Sequence, residues 1–208
     1  MPDTATRYLY LARHGEAAPD GSGLTAAGRR QAVLLGRRLA DRPITAVHHG
    51  PLPRAAQTAR LIGEQLGGGV AVSVCAEADD YVPHLPPRSE LPEDSAEFML
   101  RFLADTTAEE AAHGRALALR AAARFTGPVE GAQDRHELVV THAFLIGWLV
   151  RHTLDAPAWR WLGLNAANAA LTVLRFAPGR PSSVLVLNDQ AHLPEELRWT
   201  GFPPELRI

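Results

Sequence analysis

Short apolar runs alternate with longer stretches of helical periodicity along this chain, and that alternation limits it to an α/β architecture built on a largely parallel sheet. The first run, Tyr8-Leu9-Tyr10-Leu11-Ala12, breaks at Arg13-His14-Gly15, the pattern of a buried strand that ends in a polar loop. From Thr25, a suitable N-cap, residues 26–39 place Ala32, Leu35, Gly36 and Leu39 on one helical face. Arg29, Arg30, Arg37 and Arg38 fall mostly off that face and are expected to be solvated. Residues 44–49 then read as a strand closed by Gly50-Pro51, residues 53–66 as a helix stopped by Gly67-Gly68-Gly69, and residues 70–74 as a third strand.

The proline-rich residues 81–92 can be neither helix nor central strand and are expected to form a loop or lid. Helices are expected over 95–103 and 107–125, with Ser95 and Thr107 as caps, followed by a strand over 137–141 that ends at His142 and a helix over 144–153. Residues 169–176 and 183–187 read as two strands paired around Pro178-Gly179. The expectation is a three-layer α/β/α sandwich forming one domain over residues 1–208, capped by the loop and helices of residues 76–127.

Composition narrows the function classes. Hydrophobic residues at 46% and charged residues at 21% match a soluble globular protein, and a net charge of -2 offers no global footprint for nucleic acid or an anionic membrane. Any anion site must be local. The single cysteine, Cys75, cannot form an internal disulfide, which fits a reducing compartment with the cytoplasm as default. No stretch approaches the roughly 20 apolar residues that span a bilayer, so neither a signal peptide nor an anchor is expected. Homo-oligomerisation is left open.

Three predicted strand ends carry the chemistry. Arg13-His14-Gly15-Glu16 follows the first strand, Leu52-Pro53-Arg54-Ala55-Ala56-Gln57-Thr58-Ala59 opens the helix after the second, and Val140-Thr141-His142 ends a later one. Together they supply guanidiniums and imidazoles, the groups that neutralise and orient a phosphoryl dianion. These segments resemble the histidine phosphatase superfamily, the phosphoglycerate mutase-like branch 1 family. Members carry the Arg-His-Gly signature, a Pro-Leu-x-Arg-Ala-x-Gln-Thr-Ala stretch (here residues 51–59), a late second histidine, and a closing pattern similar to Asn168-Ala169-Ala170-Leu171-Thr172.

The resemblance implies a phosphomonoesterase of the mutase-like fold acting on a small phosphorylated substrate. His14 would attack phosphorus and carry a phosphohistidine; Arg13, Arg54 and His142 would hold the phosphoryl oxygens, with no metal and no cofactor. A carboxyl group must protonate the leaving oxygen. Alignment on a Leu-x-Glu pattern indicates Glu77, whereas an acid just before a proline-containing turn indicates Asp80, next to Asp79; Asp80 is preferred, with neighbouring acids expected to raise its proton affinity.

Departures from the family pattern matter too. Ala17 and Ala18 stand where a hydroxyl is usual, and Ala143 replaces a glycine after His142. The loop over 81–92 lacks the long insertion of dedicated mutases, which disfavours mutase activity. A mutase-like phosphotransferase and a noncatalytic phosphate-binding module stand as competing readings. His48-His49 is not expected to chelate a metal, because neighbours on a strand face opposite sides, and His192 near Asn188-Asp189 reads as turn chemistry. Trp148, Trp159, Trp161 and Trp199 are expected to pack the core or a subunit contact, with an aromatic wall near the substrate as the alternative.

Overall fold

The computed structural model describes residues 4–208. In chain order the elements are β1 (Thr4–Ala5), β2 (Arg7–Arg13), α1 (Ala26–Leu39), β3 (Ala46–His49), α2 (Pro53–Gly63) and β4 (Ala71–Val74). They continue with α3 (Ala96–Phe102), α4 (Ala108–Phe125), β5 (Val129–Glu130), β6 (Arg135–Thr141), α5 (Ala143–Thr153), β7 (Leu171–Phe176) and β8 (Ser183–Asp189). Six strands form one mixed sheet in the order β4-β3-β6-β2-β7-β8. The β4–β3, β3–β6 and β6–β2 pairs are parallel; β2–β7 and β7–β8 are antiparallel.

The two-residue alternation of β2 divides the core. Leu9 and Leu11 enter an apolar cluster with Phe125 of α4 and Leu145, Ile146 and Leu149 of α5. Tyr10 and Ala12 enter the other cluster, with Leu35 and Leu39 of α1 and Ala55, Ala59 and Ile62 of α2. Helices thus cover both faces of the sheet, the three-layer arrangement expected from the alternating runs. Truncating a fully buried residue such as Leu9 or Leu11 to alanine costs about 2–5 kcal/mol.

Register places the chemistry. Arg13 at the end of β2 pairs with Thr141 at the end of β6, and His49 of β3 pairs with Val140. Three adjacent parallel strands therefore finish at one edge, where His14, the start of α2 and the start of α5 converge.

The expected element order holds, with shifted ends. The helix expected to run to residue 66 stops at Gly63, and the strand expected from residue 169 starts at Leu171. The β1–β5 ribbon, an antiparallel pair of two-residue strands, had no counterpart in the sequence reading. Residues 81–92 contain no helix or strand apart from the 3-10 turn Arg88–Glu90. Arg38 departs from the expected solvated face: its guanidinium pairs with Asp189 and meets Nδ1 of His192 at 3.1 Å. Trp148 and Trp161 are buried, while Trp159 and Trp199 are only partly covered. Among the described residues, no helix is long and apolar enough to cross a membrane.

Candidate active site

The loop after β2 is held by its backbone and its neighbours. His14 donates its N–H to the Thr141 carbonyl at 3.0 Å, tying the loop to the end of β6. Gly15 N–H donates to Thr58 Oγ1 at 3.0 Å, and the same hydroxyl donates to the Arg54 carbonyl at 2.7 Å, so one buried threonine joins the histidine loop to the first turn of α2. A Cβ on Gly15 would collide with the Gly28 carbonyl, and a Cβ on Gly28 with the Glu16 carbonyl. These two glycines let the loop lie directly on α1.

The orientation of His14 follows from that anchoring. Its Nδ1 lies 2.7 Å from the Gly15 carbonyl, which accepts only, so Nδ1 carries the proton and Nε2 keeps a free lone pair. Burial first, then the neighbouring His142, pushes the His14 pKa down to about 3; the Gly15 hydrogen bond opposes this and Arg13 and Arg54 add to it. Burial, then Arg54 and Arg13, likewise brings His142 to about 3. Both rings are neutral at neutral pH, and they stand 5.0 Å apart between centroids.

His142 is the N-cap of α5, and Arg54 lies in the first turn of α2. A helix N-terminus presents unpaired N–H groups and a partial positive charge, both of which favour an anion. Neither ring nitrogen of the buried His142 has a hydrogen-bond partner. A buried ring N–H without a partner ordinarily finds one, so this histidine is left with hydrogen-bonding capacity to spare. Arg13 Nη1 donates to the Ala166 carbonyl at 2.7 Å and the Gly201 carbonyl at 2.6 Å, which fixes the guanidinium plane. Burial lowers its pKa; Asp80 opposes this and Arg54 adds to it.

The two acid candidates separate cleanly. Asp80 Oδ2 accepts from Arg54 Nη2 at 2.8 Å and lies 3.5 Å from His142 Nδ1. Its carboxylate faces these nitrogens and not the acidic neighbours that the sequence reading supposed; Asp79 instead accepts from the Asp80 backbone N–H at 2.8 Å. Glu77 is turned away toward α4, where it accepts from Cys75 Sγ at 3.0 Å, Arg120 Nε at 3.3 Å and Arg124 Nη1 at 3.2 Å. The Cys75 hydrogen bond first, with Arg120 and Arg124, holds the Glu77 carboxyl below its ordinary value against the effect of partial burial. Position separates them: Asp80 faces His142, whereas Glu77 is spent on Cys75 and the arginines of α4.

Further supports escaped the sequence reading. The fully buried Gln31 accepts from Glu16 N–H at 2.8 Å and donates to the Leu197 carbonyl at 2.8 Å and Thr200 Oγ1 at 2.7 Å, linking the histidine loop to the C-terminal segment. Its sequence signal was a polar residue four positions before Leu35, on the apolar face of α1. Thr141 Oγ1 donates to the Ala78 carbonyl at 2.7 Å and so fixes the turn that precedes Asp80. His48 and His49 do not share a site: His48 Nδ1 meets Ser73 Oγ at 3.0 Å, and His49 Nδ1 meets the Gly50 carbonyl at 2.8 Å. Among the described residues, no group of three or more His, Cys, Asp or Glu side chains is placed to hold a metal ion.

The model of the histidine phosphatase superfamily, branch 1, matches residues 9–190. The chain belongs to this family. The mitochondrial serine/threonine-protein phosphatase Pgam5 of Caenorhabditis briggsae is 31% identical over 205 residues, which cover 95% of this chain and 68% of that protein. The chain spans about two thirds of the length of the curated relatives it matches, down to 65% for the human PGAM5. Among solved structures, mycobacterial hydrolase 1 is 26% identical with a TM-score of 0.64, over 89% of this chain and all of that one. The mycobacterial glucosyl-3-phosphoglycerate phosphatase is 25% identical with a TM-score of 0.62, over the same shares.

Proposed function

We propose that the chain is a phosphatase that hydrolyses phosphomonoesters by way of a phosphohistidine on His14. The observation that carries this reading is the fixed tautomer of His14, whose Nε2 lone pair is free and buried beside Arg13, Arg54 and His142. In the first step the Nε2–P bond forms as the bond from phosphorus to the leaving oxygen breaks, and that oxygen takes the proton of Asp80. In the second step water attacks phosphorus, Asp80 accepts its proton, and the N–P bond breaks to release inorganic phosphate and neutral His14. Arg13 and Arg54 meet the charge on the phosphoryl oxygens in both steps, and His142 stands ready to donate to them. The route is written without a metal ion because these side chains supply the neutralising charge, and activity is expected to survive a chelator.

Hydrolysis to phosphate, and not transfer to a second acceptor, is supported by the short 81–92 loop and by relatives named as phosphatases. Residues 76–127 serve as the cap of one phosphatase domain in this reading. A phosphorylated serine or threonine side chain is a second substrate class, favoured by the names of the Pgam5 relatives. The lone buried thiol of Cys75 supports a reducing compartment such as the cytoplasm, although those relatives are named mitochondrial.

The decisive experiment is brief incubation with a labelled phosphomonoester followed by quenching in base or acid. A label on the protein that survives base, is lost in acid and is absent from His14→Ala supports the route. Wild-type turnover of 4-nitrophenyl phosphate by His14→Ala removes it.

A further inference from the structure

A cavity of about 460 Å³ is walled by Phe98 and Phe102 of α3, Phe144 of α5, Trp161 and Leu206. Two of its lining residues adjoin the site in the chain. Ala143 on its wall directly follows His142, and Asn165 directly precedes Ala166, whose carbonyl holds Arg13. Phe144 also lines a neighbouring cavity of about 400 Å³ that contains Asp80, the group placed to protonate a departing oxygen. A leaving group that starts at Asp80 therefore meets Phe144 first and the larger cavity next.

The walls specify what fits there. Phe102 packs edge-on against Phe144 at 6.0 Å between centroids, and Phe144 against Trp161 at 4.9 Å, so a ring entering the cavity meets a row of aromatic edges and faces. Phe98 is 68% exposed and Phe102 54% exposed, a concentration of uncovered apolar surface at the mouth that an apolar occupant would remove from water. Arg160 and Glu205 on the wall carry opposite charges, so the cavity offers no net charge to a second anionic group.

We propose that this cavity is the subsite for the carbon body of an aromatic phosphomonoester, an ester whose alcohol carries an uncharged ring system. The proposal rests on the phosphatase reading above and narrows it to a substrate class. It disfavours small phosphorylated acids, whose carboxylates would meet a largely apolar wall. Volume agrees: small-molecule pockets span about 300–1,000 Å³.

The test compares two esters of primary alcohols, 2-(2-naphthyl)ethyl phosphate and ethyl phosphate, so that the intrinsic quality of the leaving group is matched and only the body differs. Wild-type kcat/KM is expected to favour the naphthyl ester by about tenfold or more, chiefly through KM, because the contacts are made equally before and during bond cleavage. Phe98→Asp/Phe102→Asp, at exposed positions of the cavity wall, is expected to remove most of that preference, lowering kcat/KM for the naphthyl ester much more than for ethyl phosphate. Phe98→Leu/Phe102→Leu is expected to restore much of it. Turnover of ethyl phosphate with no naphthyl preference, or equal loss of both activities in the aspartate variant, overturns the subsite alone. Failure to turn over either ester or 4-nitrophenyl phosphate overturns the phosphatase reading, and the subsite with it.

Discussion

Oδ2 of Asp80 stands 3.5 Å from Nδ1 of His142, a contact that joins the segment after β4 to the N-terminus of α5. The same oxygen accepts from Arg54. The Asp80 side chain is 40% exposed, which leaves its carboxyl group in proton exchange with water.

This geometry gives Asp80 and Glu77 different fates on substitution. Asp80→Asn is expected to lower kcat for alkyl phosphates by about 10²- to 10⁴-fold, the usual span for a general acid, and to matter much less for 4-nitrophenyl phosphate, whose leaving oxygen needs no proton. Glu77→Gln is expected to leave kcat nearly intact and to cost about 1 kcal/mol or less, since its partners Arg120 and Arg124 are half exposed. Steady-state kinetics on the two ester types, with urea melts, separates the roles; a greater kinetic loss in Glu77→Gln would reverse the assignment.

The depressed pKa values of His14 and His142 carry a definite pH dependence. Folding lowers both from the ordinary 6.5 to about 3, chiefly by burial, so between those values the unfolded chain binds protons that the native one refuses. Their contribution to stability is complete above pH 6.5 and is lost as pH falls toward 3. Unfolding free energy is expected to decline across that window, with a shallower slope in His142→Asn. Proton-detected NMR is expected to show neither ring titrating near 6.5; a ring that does so contradicts the buried, neutral nucleophile.

Thr58 is the hinge between loop and helix. Thr58→Val keeps the shape but leaves the Gly15 N–H without an acceptor, and the expected cost is about 1–3 kcal/mol together with reduced kcat/KM, because His14 and Arg54 are both positioned through that hydroxyl. Thr58→Ser restores the acceptor. Rescue by serine in parallel melts and assays distinguishes the hydrogen bond from side-chain volume.

What could be read without coordinates, and what could not, follows the range of the interactions. The strand ends that bear His14, Arg54 and His142 announced themselves because each apolar run stops at a local break. The choice between Glu77 and Asp80 could not be made that way. A 3-10 turn spans Ala76–Ala78, and the chain leaves it at Asp79 with extended backbone, φ -74° and ψ 175°, which sends the two carboxylates to opposite sides. Gln31, Arg38 and the C-terminal carbonyl of Gly201 act across separations of more than 150 residues, and nothing local encodes such partners. The β1–β5 ribbon is too short for any periodicity to register.

Gly28 offers a test in which local propensity and tertiary packing disagree in sign. It lies near the start of α1, where glycine in place of alanine ordinarily costs a helix about 1 kcal/mol, so propensity alone expects Gly28→Ala to stabilise the protein. The added Cβ would instead strike the Glu16 carbonyl, which is backbone and held in turn by the Thr25 N–H at 3.0 Å. Relief requires the loop to lift from the helix, carrying the Gly15 carbonyl that fixes the His14 tautomer. Gly28→Ala is therefore expected to lower both the melting temperature and kcat/KM, and a variant that melts higher with full activity would show that the close approach of loop and helix does not hold the nucleophile in place.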